Sequence, residues 1–257
     1  MNIALCISGF ARKMDQSYPY LKKYILDELD PDVFYFGYHD EKDTKENILE
    51  TYKPVSHVIR EYNNEMEKEI LSAYKCSHPR AIFSGELLRH QTKHSSAIPL
   101  LSQFYNVMKC NELKQEKEQQ ENFEYDAVIR VRSDYFFFRP INNDLEFAKN
   151  YVCSTDHWDW LNGYTDSFAF GNSEDMDTYS SFFNYFAEYV LDDGVKFHPE
   201  TMLKHHFAKQ NIERKIVPPC WWWNLEDFNT IPYVAPKTHR EKPESIFPWK
   251  DCSESLI

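Results

Sequence analysis

Two arginines and an aspartate alternate at Arg130, Arg132 and Asp134 within the stretch Tyr125–Phe138, YDAVIRVRSDYFFF. Residues two apart on a strand share a face, so a strand at Ala127–Val131 points all three side chains the same way. Two guanidinium groups on one face of an apolar strand need anionic partners, because an unpaired buried charge is expensive. One candidate is internal, Asp126 or an acid on a neighbouring strand; the other is a ligand phosphate. Asp134, at the carboxyl end of the strand, carries the hard oxygen ligands that hold a divalent cation against a leaving diphosphate.

Three other places carry comparable chemistry. In Ser8-Gly9-Phe10-Ala11-Arg12, backbone N–H groups, the Ser8 hydroxyl and the Arg12 fork can meet a diphosphate, although an exposed Arg after a Gly turn is also common. Neither G-x-x-x-x-G-K-[ST] nor G-x-G-x-x-G occurs, so this is not a P-loop or a dinucleotide fingerprint. In TDSFAFG, Asp166 precedes an apolar strand, where it binds an acceptor hydroxyl, acts as a base, or only starts the strand. In His198-Pro199-Glu200-Thr201, Glu200 stands in the first turn of a helix. Capping and the helix dipole explain a carboxylate there, and partial desolvation suits it to general-base work. The histidines at 205 and 206 and at 157 match no zinc spacing with the cysteines. The Trp221–Trp223 run reads as packing more than as a sugar platform.

The elements that must position these residues form an alternating pattern. Asn2–Ser8 is a buried strand ending at a Ser-Gly turn, and Tyr18, Leu21, Ile25 and Leu29 recur at helical spacing before Pro31. Asp32–Tyr38 is a second buried strand. Two strands apolar on both faces with a helix between them predict a mostly parallel sheet covered by helices. A third strand is expected at Val55–Arg60, a surface helix at Asn63–Ala73 and a long helix from Ser95 to Gln119, whose polar run Lys114–Asn122 reads as a solvated end. Short strands follow at Tyr151–Ser154 and Ser167–Phe170, then a helix through Met176, Tyr179, Phe183, Phe186 and Val190 capped by Asn172 or Ser173. A last helix begins at Pro199. Ligands of open α/β sheets bind outside the carboxyl ends of the strands, which is where all four polar clusters fall.

Composition narrows the classes further. The chain has 257 residues, 42% hydrophobic and 16% aromatic, with only six glycines, enough for one folded α/β domain over 1–257 with residues 218–257 as a wrapping tail. The 29 basic and 41 acidic residues leave a net charge of −12, which disfavours nucleic acid and anionic membrane surfaces as partners. Six scattered cysteines without a C-x-x-C pair read as reduced thiols. The N-terminal apolar run is too short for a signal or a membrane span and reads as a strand, so no transmembrane segment and a cytoplasmic location are expected.

Taken in order and spacing, SGFAR after the first strand, Asp32–Phe34, SQFYNVMKCNEL at Ser102–Leu113, YDAVIRVRSD at Tyr125–Asp134, TDSFAFGNSEDM at Thr165–Met176 and HPETML at His198–Leu203 resemble the GT-A-fold glycosyltransferases of bacterial surface-polysaccharide and lipopolysaccharide loci and of large DNA viruses. The resemblance spans roughly residues 2–211. It implies a GT-A-like fold and transfer of a sugar from a nucleotide diphosphate sugar to a glycan or glycan-precursor hydroxyl. It also implies a Mn²⁺ or Mg²⁺ ion held through a D-x-D-type motif, and a carboxylate that deprotonates the acceptor in inverting members. Asp134 matches the final acid of that motif, while Arg132 stands where the first acid is expected and can touch the diphosphate itself. Ser8, Gly9, Arg12, Arg130, Arg132 and Asp134 are then the donor-site candidates, Asp134 and His239 the metal candidates, and Glu200 and Asp166 the catalytic ones. The rival readings are a sulfotransferase and a non-catalytic glycan-binding protein on the same fold.

Overall fold

The computed structural model describes residues 1–79, 97–156, 159–218 and 221–222. Seven strands form one sheet in the order β3-β2-β1-β4-β7-β6-β8, where β1 is Ile3–Phe10, β2 Asp32–His39, β3 Ser56–Glu61, β4 Ala127–Val131, β6 Val152–Ser154, β7 Phe168–Gly171 and β8 Arg214–Ile216. A separate ribbon pairs β5, Phe136–Phe137, with β9, Trp221–Trp222. All sheet neighbours run parallel except at β7, which is antiparallel to both β4 and β6. The sheet is therefore mostly parallel and flanked by helices, as the buried strand pattern predicts.

The centre of the sheet is dry. Ala4, Leu5, Ile7, Phe34, Tyr35, Ala127, Ile129 and Val131 are fully buried, each large apolar side chain contributing about 1.5–3 kcal/mol from its removal from water. One face packs against α1 (Met14–Leu21), α2 (Lys45–Tyr52) and the 3₁₀ segment Asn142–Lys149 through Met14, Leu21, Ile48, Leu145 and Ala148. The other is covered by α3 (Asn64–Ser77), α4 (Ala97–Glu121), α5 (Ser173–Ser180), α6 (Phe182–Leu191) and α7 (Pro199–Gln210), whose apolar sides meet Ala4, Cys6, Phe34, Phe36 and Val128.

Helix boundaries follow local chemistry. Asn63 Oδ1 accepts from the N–H groups of Glu65 and Met66, and Asn172 Oδ1 accepts from Asp175 N, so both asparagines close open helix starts. The helix expected through Met176 and Val190 is two helices, broken at Ser181. After α1 the chain widens into a π-turn at Lys22–Leu26, three residues beyond Pro19, and the segment ends at Asp30 in the left-handed region, φ 44°. The polar run Lys114–Asn122 is solvated at Glu116 and over Gln119–Asn122, as expected, and departs from expectation at Lys114 and Glu118. Lys114 is fully buried, its ammonium 2.6 Å from Asp177 and 2.8 Å from Glu118 and bonded to Ser173 Oγ, so one face of this end of α4 is bolted to α5.

Chain order and strand order first part company beside β1. From β1 the chain steps outward through β2 to β3, then crosses back under α3 and α4 to place β4 on the other side of β1. The carboxyl ends of β1 and β4 thus flank the switch point, where successive connections leave in opposite directions and open a crevice. Among the described residues no helix is long and apolar enough to cross a membrane.

Candidate functional site

A cavity of about 250 Å³ opens at that switch point, lined by residues of β1 and its turn, β4's carboxyl end, α4 and Tyr62. Gly9 sits at φ 104°, in the region that favours glycine, and turns the chain away from the sheet. Its neighbour on β2, Gly37, has no room for a side chain: a Cβ there would lie 1.8 Å from the Gly9 carbonyl oxygen. Ser133 Oγ donates to the Phe10 carbonyl at 2.6 Å, and Ser17 Oγ on α1 donates to the Ser133 carbonyl at 2.6 Å. These bonds clamp the β1 and β4 ends together.

Two of the lining residues carry polar atoms without partners. Ser8 and Asn106 are 5% and 2% exposed, and neither Ser8 Oγ nor Asn106 Oδ1 has a hydrogen-bond partner among the described residues. A buried polar atom left unpaired is costly, and the cost is recovered when a ligand supplies the missing bond. Phe10, Tyr38 and Tyr62 form an aromatic cluster beside them, with ring centroids 5.0–5.3 Å apart, and Phe10 and Tyr62 face the cavity.

The charged side chains at the mouth are Arg12, Arg132 and Asp134. Arg12 is exposed, lies 5.2 Å from the Phe10 ring centroid and has no carboxylate partner among the described residues. Arg132 and Asp134 make a two-pronged pair: Nε to Oδ1 at 3.0 Å and Nη2 to Oδ2 at 2.7 Å. Burial alone would lower the Arg132 pKa, but Tyr135 and Asp134 raise it above its ordinary value, so the guanidinium is charged at every accessible pH. Two cations against one anion make the mouth locally positive on a chain of net charge −12.

Arg130 corrects the alternation argument. It is 2% exposed and lies beneath the cavity without lining it; Nη1 donates to the Asp166 carbonyl, while Nε and Nη2 have no hydrogen-bond partner among the described residues. The strand ends at Val131, so alternation carries Arg130 into the α4-covered face while Arg132, just beyond, emerges at the rim. Arg130 thus does not line this cavity, and its Nη1 ties β4 to the chain at Asp166.

Asp166 reaches the site because β7 is antiparallel, which brings its amino end to the edge where β1 and β4 finish. Its carboxylate accepts from Gln103 Nε2 at 2.7 Å and from Ser167 Oγ at 3.2 Å, and Gln103 itself lines the cavity. Glu200 stands behind it at the start of α7. Gly163 rests directly on the Glu200 peptide, where a Cβ would fall 2.2 Å from the Glu200 carbonyl carbon, and Tyr164 N donates to the Glu200 carbonyl at 2.9 Å. His198 Nδ1 lies 3.3 Å from Glu200 Oε2, yet its hydrogen bond goes to Thr201 Oγ1 at 3.2 Å, leaving Oε2 buried and without a hydrogen-bond partner among the described residues. Burial first, and the Asp166 charge second, push the Glu200 carboxyl up to about 8. Burial lowers the His198 pKa, with Asp166 working against it.

Ser8, Gly9, Arg12, Arg132 and Asp134 therefore share one cavity, Asp166 joins it through Gln103, and Glu200 is adjacent but does not line it; His239 lies outside the described residues. Sequence reasoning assigned no role to Ser102, Gln103 and Asn106, all buried or half-buried on α4, or to Phe10 and Tyr62. A signal existed: Ser102 and Asn106 are polar at i and i+4 on a face that continues as apolar at Cys110 and is bordered by the apolar Tyr105, a mismatch that marks a functional helix face.

A divalent cation fits this donor set poorly. Both Asp134 oxygens are engaged by Arg132, no other acid lines the cavity, and no group of three or more His, Cys, Asp or Glu that could hold a metal occurs among the described residues.

No curated protein matches the chain. A family model does, over residues 1–221, which is most of its length. The protein thus belongs to the family described as Domain of unknown function (DUF7796), and its match takes in every described residue of the cavity.

Proposed function

We propose that this protein is a nucleotide-sugar-dependent glycosyltransferase on a GT-A-like fold, moving a sugar from a nucleotide diphosphate sugar to a hydroxyl of a glycan or glycan precursor. The observation that carries the reading is the cavity at the β1/β4 switch point, lined by two aromatic residues, two arginines and two residues whose buried polar atoms have no partner among the described residues. Each part matches one part of such a donor. Phe10 and Tyr62 offer ring faces to the base, Asn106 Oδ1 offers an acceptor to a ribose hydroxyl or base N–H, and Ser8 Oγ with Arg12 and Arg132 offers donors to phosphate oxygens. At about 250 Å³ the cavity is smaller than the roughly 300–1,000 Å³ of a complete small-molecule site, so it takes the nucleotide end and leaves the sugar at the rim.

In the reaction the acceptor oxygen bonds to the anomeric carbon, the bond from that carbon to the diphosphate oxygen breaks, and the nucleoside diphosphate leaves. The arginines neutralise the charge that grows on the leaving diphosphate. Glu200 takes the hydroxyl proton, since a carboxyl tuned to about 8 is well matched to a base working near neutral pH. Asp166, oriented by Gln103 and Ser167, holds the acceptor hydroxyl. The buried free thiols of Cys6, Cys110 and Cys153 suit a reducing, cytoplasmic setting.

The test is a thermal-shift panel of UDP, GDP and adenosine 3′-phosphate 5′-phosphosulfate. Stabilisation by a nucleoside diphosphate supports the reading, stabilisation by the sulfate donor alone transfers the protein to the sulfotransferases, and no response to any of the three removes it from both classes.

A further inference from the structure

The cavity mouth holds a guanidinium whose two-pronged acceptor is supplied by the chain itself, and this arrangement has the chemistry of a stand-in. A carboxylate and a phosphate present the same geometry to an arginine fork: two anionic oxygens accepting two parallel N–H bonds. Asp134 occupies that position on Arg132 at 3.0 and 2.7 Å. The pair is not sealed, because the Arg132 and Asp134 side chains retain 32% and 17% of their exposure. Asp134 can swing to water without stranding a charge in a dry interior, the penalty that locks a deeply buried pair. Arg12 beside it has no carboxylate partner among the described residues, and Ser8 Oγ is 95% buried with its donor unused.

We propose that the mouth is a metal-free anion site for a diphosphate, in which Asp134 is the resident counter-ion of Arg132 and is displaced when phosphate oxygens enter the fork. This rests on the donor reading above for the nucleotide but not for the anion. In place of a cation bridging carboxylate and diphosphate, the two guanidinium groups supply the positive charge directly. Asp134 is then a competitor of the ligand and not its anchor, and it keeps the Arg132 fork paired while the site is empty. Among the described residues, Arg12 is the other charged group that lines the mouth, and the Asp166 carboxylate, behind Gln103, also acts on the Arg132 charge.

Inorganic pyrophosphate, UDP and GDP, each titrated calorimetrically in EDTA and again in excess MnCl₂, provide the test on wild type, Asp134→Asn and Arg132→Gln. Pyrophosphate should bind wild type in EDTA with an affinity within about twofold of that in Mn²⁺. Asp134→Asn should bind it more tightly, by up to about fivefold, the most that a part-exposed ion pair usually withholds. Arg132→Gln should bind it at least tenfold more weakly, in a protein whose far-ultraviolet circular dichroism is unchanged. Binding that requires Mn²⁺, or that Asp134→Asn abolishes, overturns the proposal and makes Asp134 a metal ligand. Pyrophosphate that leaves wild type and Asp134→Asn unmoved in both conditions also overturns it. Metal-free pyrophosphate binding without any response to UDP or GDP leaves the anion site standing and removes the nucleotide-sugar reading instead.

Discussion

The helix α4 carries two polar clusters about 12 Å apart along its axis, and they are opposites. Toward its amino end, Ser102, Gln103 and Asn106 border the cavity, where Asn106 Oδ1 and the facing Ser8 Oγ are unpaired. Toward its carboxyl end, Lys114 is as deeply buried, yet its ammonium meets Asp177, Glu118 and Ser173, and Glu118 accepts in addition from Ser173 Oγ at 2.6 Å and Tyr125 N at 2.9 Å. Only Asn111 Oδ1 is left over there. Burial is the same in both places; saturation differs. A polar cluster that closes on itself holds elements together, whereas one with donors and acceptors to spare beside a cavity is built to be completed by something else.

The sharpest way to break this contrast is at the closed cluster. Lys114→Ala strips the buried Glu118 of its cation, with the part-exposed Asp177 losing the same partner, and should cost about 3–5 kcal/mol in urea unfolding. Nucleotide binding by the fraction that remains folded should be unchanged; if binding falls with little loss of stability, the two clusters are not distinct in kind.

At the open cluster the effects should appear in ligand binding. Arg132→Ala should weaken nucleoside diphosphate binding about a hundredfold, the ~2.7 kcal/mol of a charge-assisted pair of hydrogen bonds, with a melting temperature close to that of wild type. Calorimetric titration reads the first and a thermal melt the second.

Glu200 tests the boundary between the two kinds of site, because it is buried, lacks a hydrogen bond to Oε2 among the described residues and is chemically poised. Its folded pKa of about 8 lies above the ordinary glutamate value of 4.5, so the folded protein holds this proton more tightly. The stability it contributes is complete below about pH 4.5 and is lost as pH rises through about 8. Glu200→Gln should flatten that fall and raise the melting temperature at pH 9 by roughly 3 °C for each kcal/mol recovered, while sugar transfer, which should climb through pH 8 in wild type, disappears. A variant that keeps both the pH-dependent melt and the transfer profile would remove Glu200 from the chemistry.

The smallest effect belongs to Asn106→Ala. Its Oδ1 has no partner among the described residues, but the change also removes the Nδ2 hydrogen bond to Ser102 Oγ at 3.5 Å, so stability should fall by about 1 kcal/mol while nucleotide affinity falls about tenfold or more. An equal loss of stability and affinity would mean that Asn106 only packs.

Much of this architecture is written locally. The apolar runs at β1, β2 and β4 identify buried parallel strands because a strand covered on both faces has no polar side to show, and Ala127–Val131 agrees with expectation at both ends. Asn172 announces a helix start since its side chain can reach an N–H three residues on, as it does at 2.8 Å. Other features depend on partners distant in the chain. Lys114 and Glu118 look like a solvated i,i+4 pair until α5 brings Asp177 and Ser173 over them. The break at Ser181 has no proline or glycine to signal it.

The same division runs through the site. Residue type and strand-end position were enough to single out Ser8, Gly9, Arg12, Arg132 and Asp134, because polar groups at the carboxyl ends of buried strands have few structural uses. Whether Arg132 faces a metal, a phosphate or an acid depended on one pairing, made when the chain left β4 and turned Asp134 back onto the fork. The fate of Arg130 likewise depended on α4 and β7 closing over it. Sequence alone determined which residues stand where chemistry is possible, since alternation and periodicity are properties of short segments. Only the tertiary structure decided which of them are already satisfied, because a hydrogen bond or an ion pair is a distance between segments far apart in the chain.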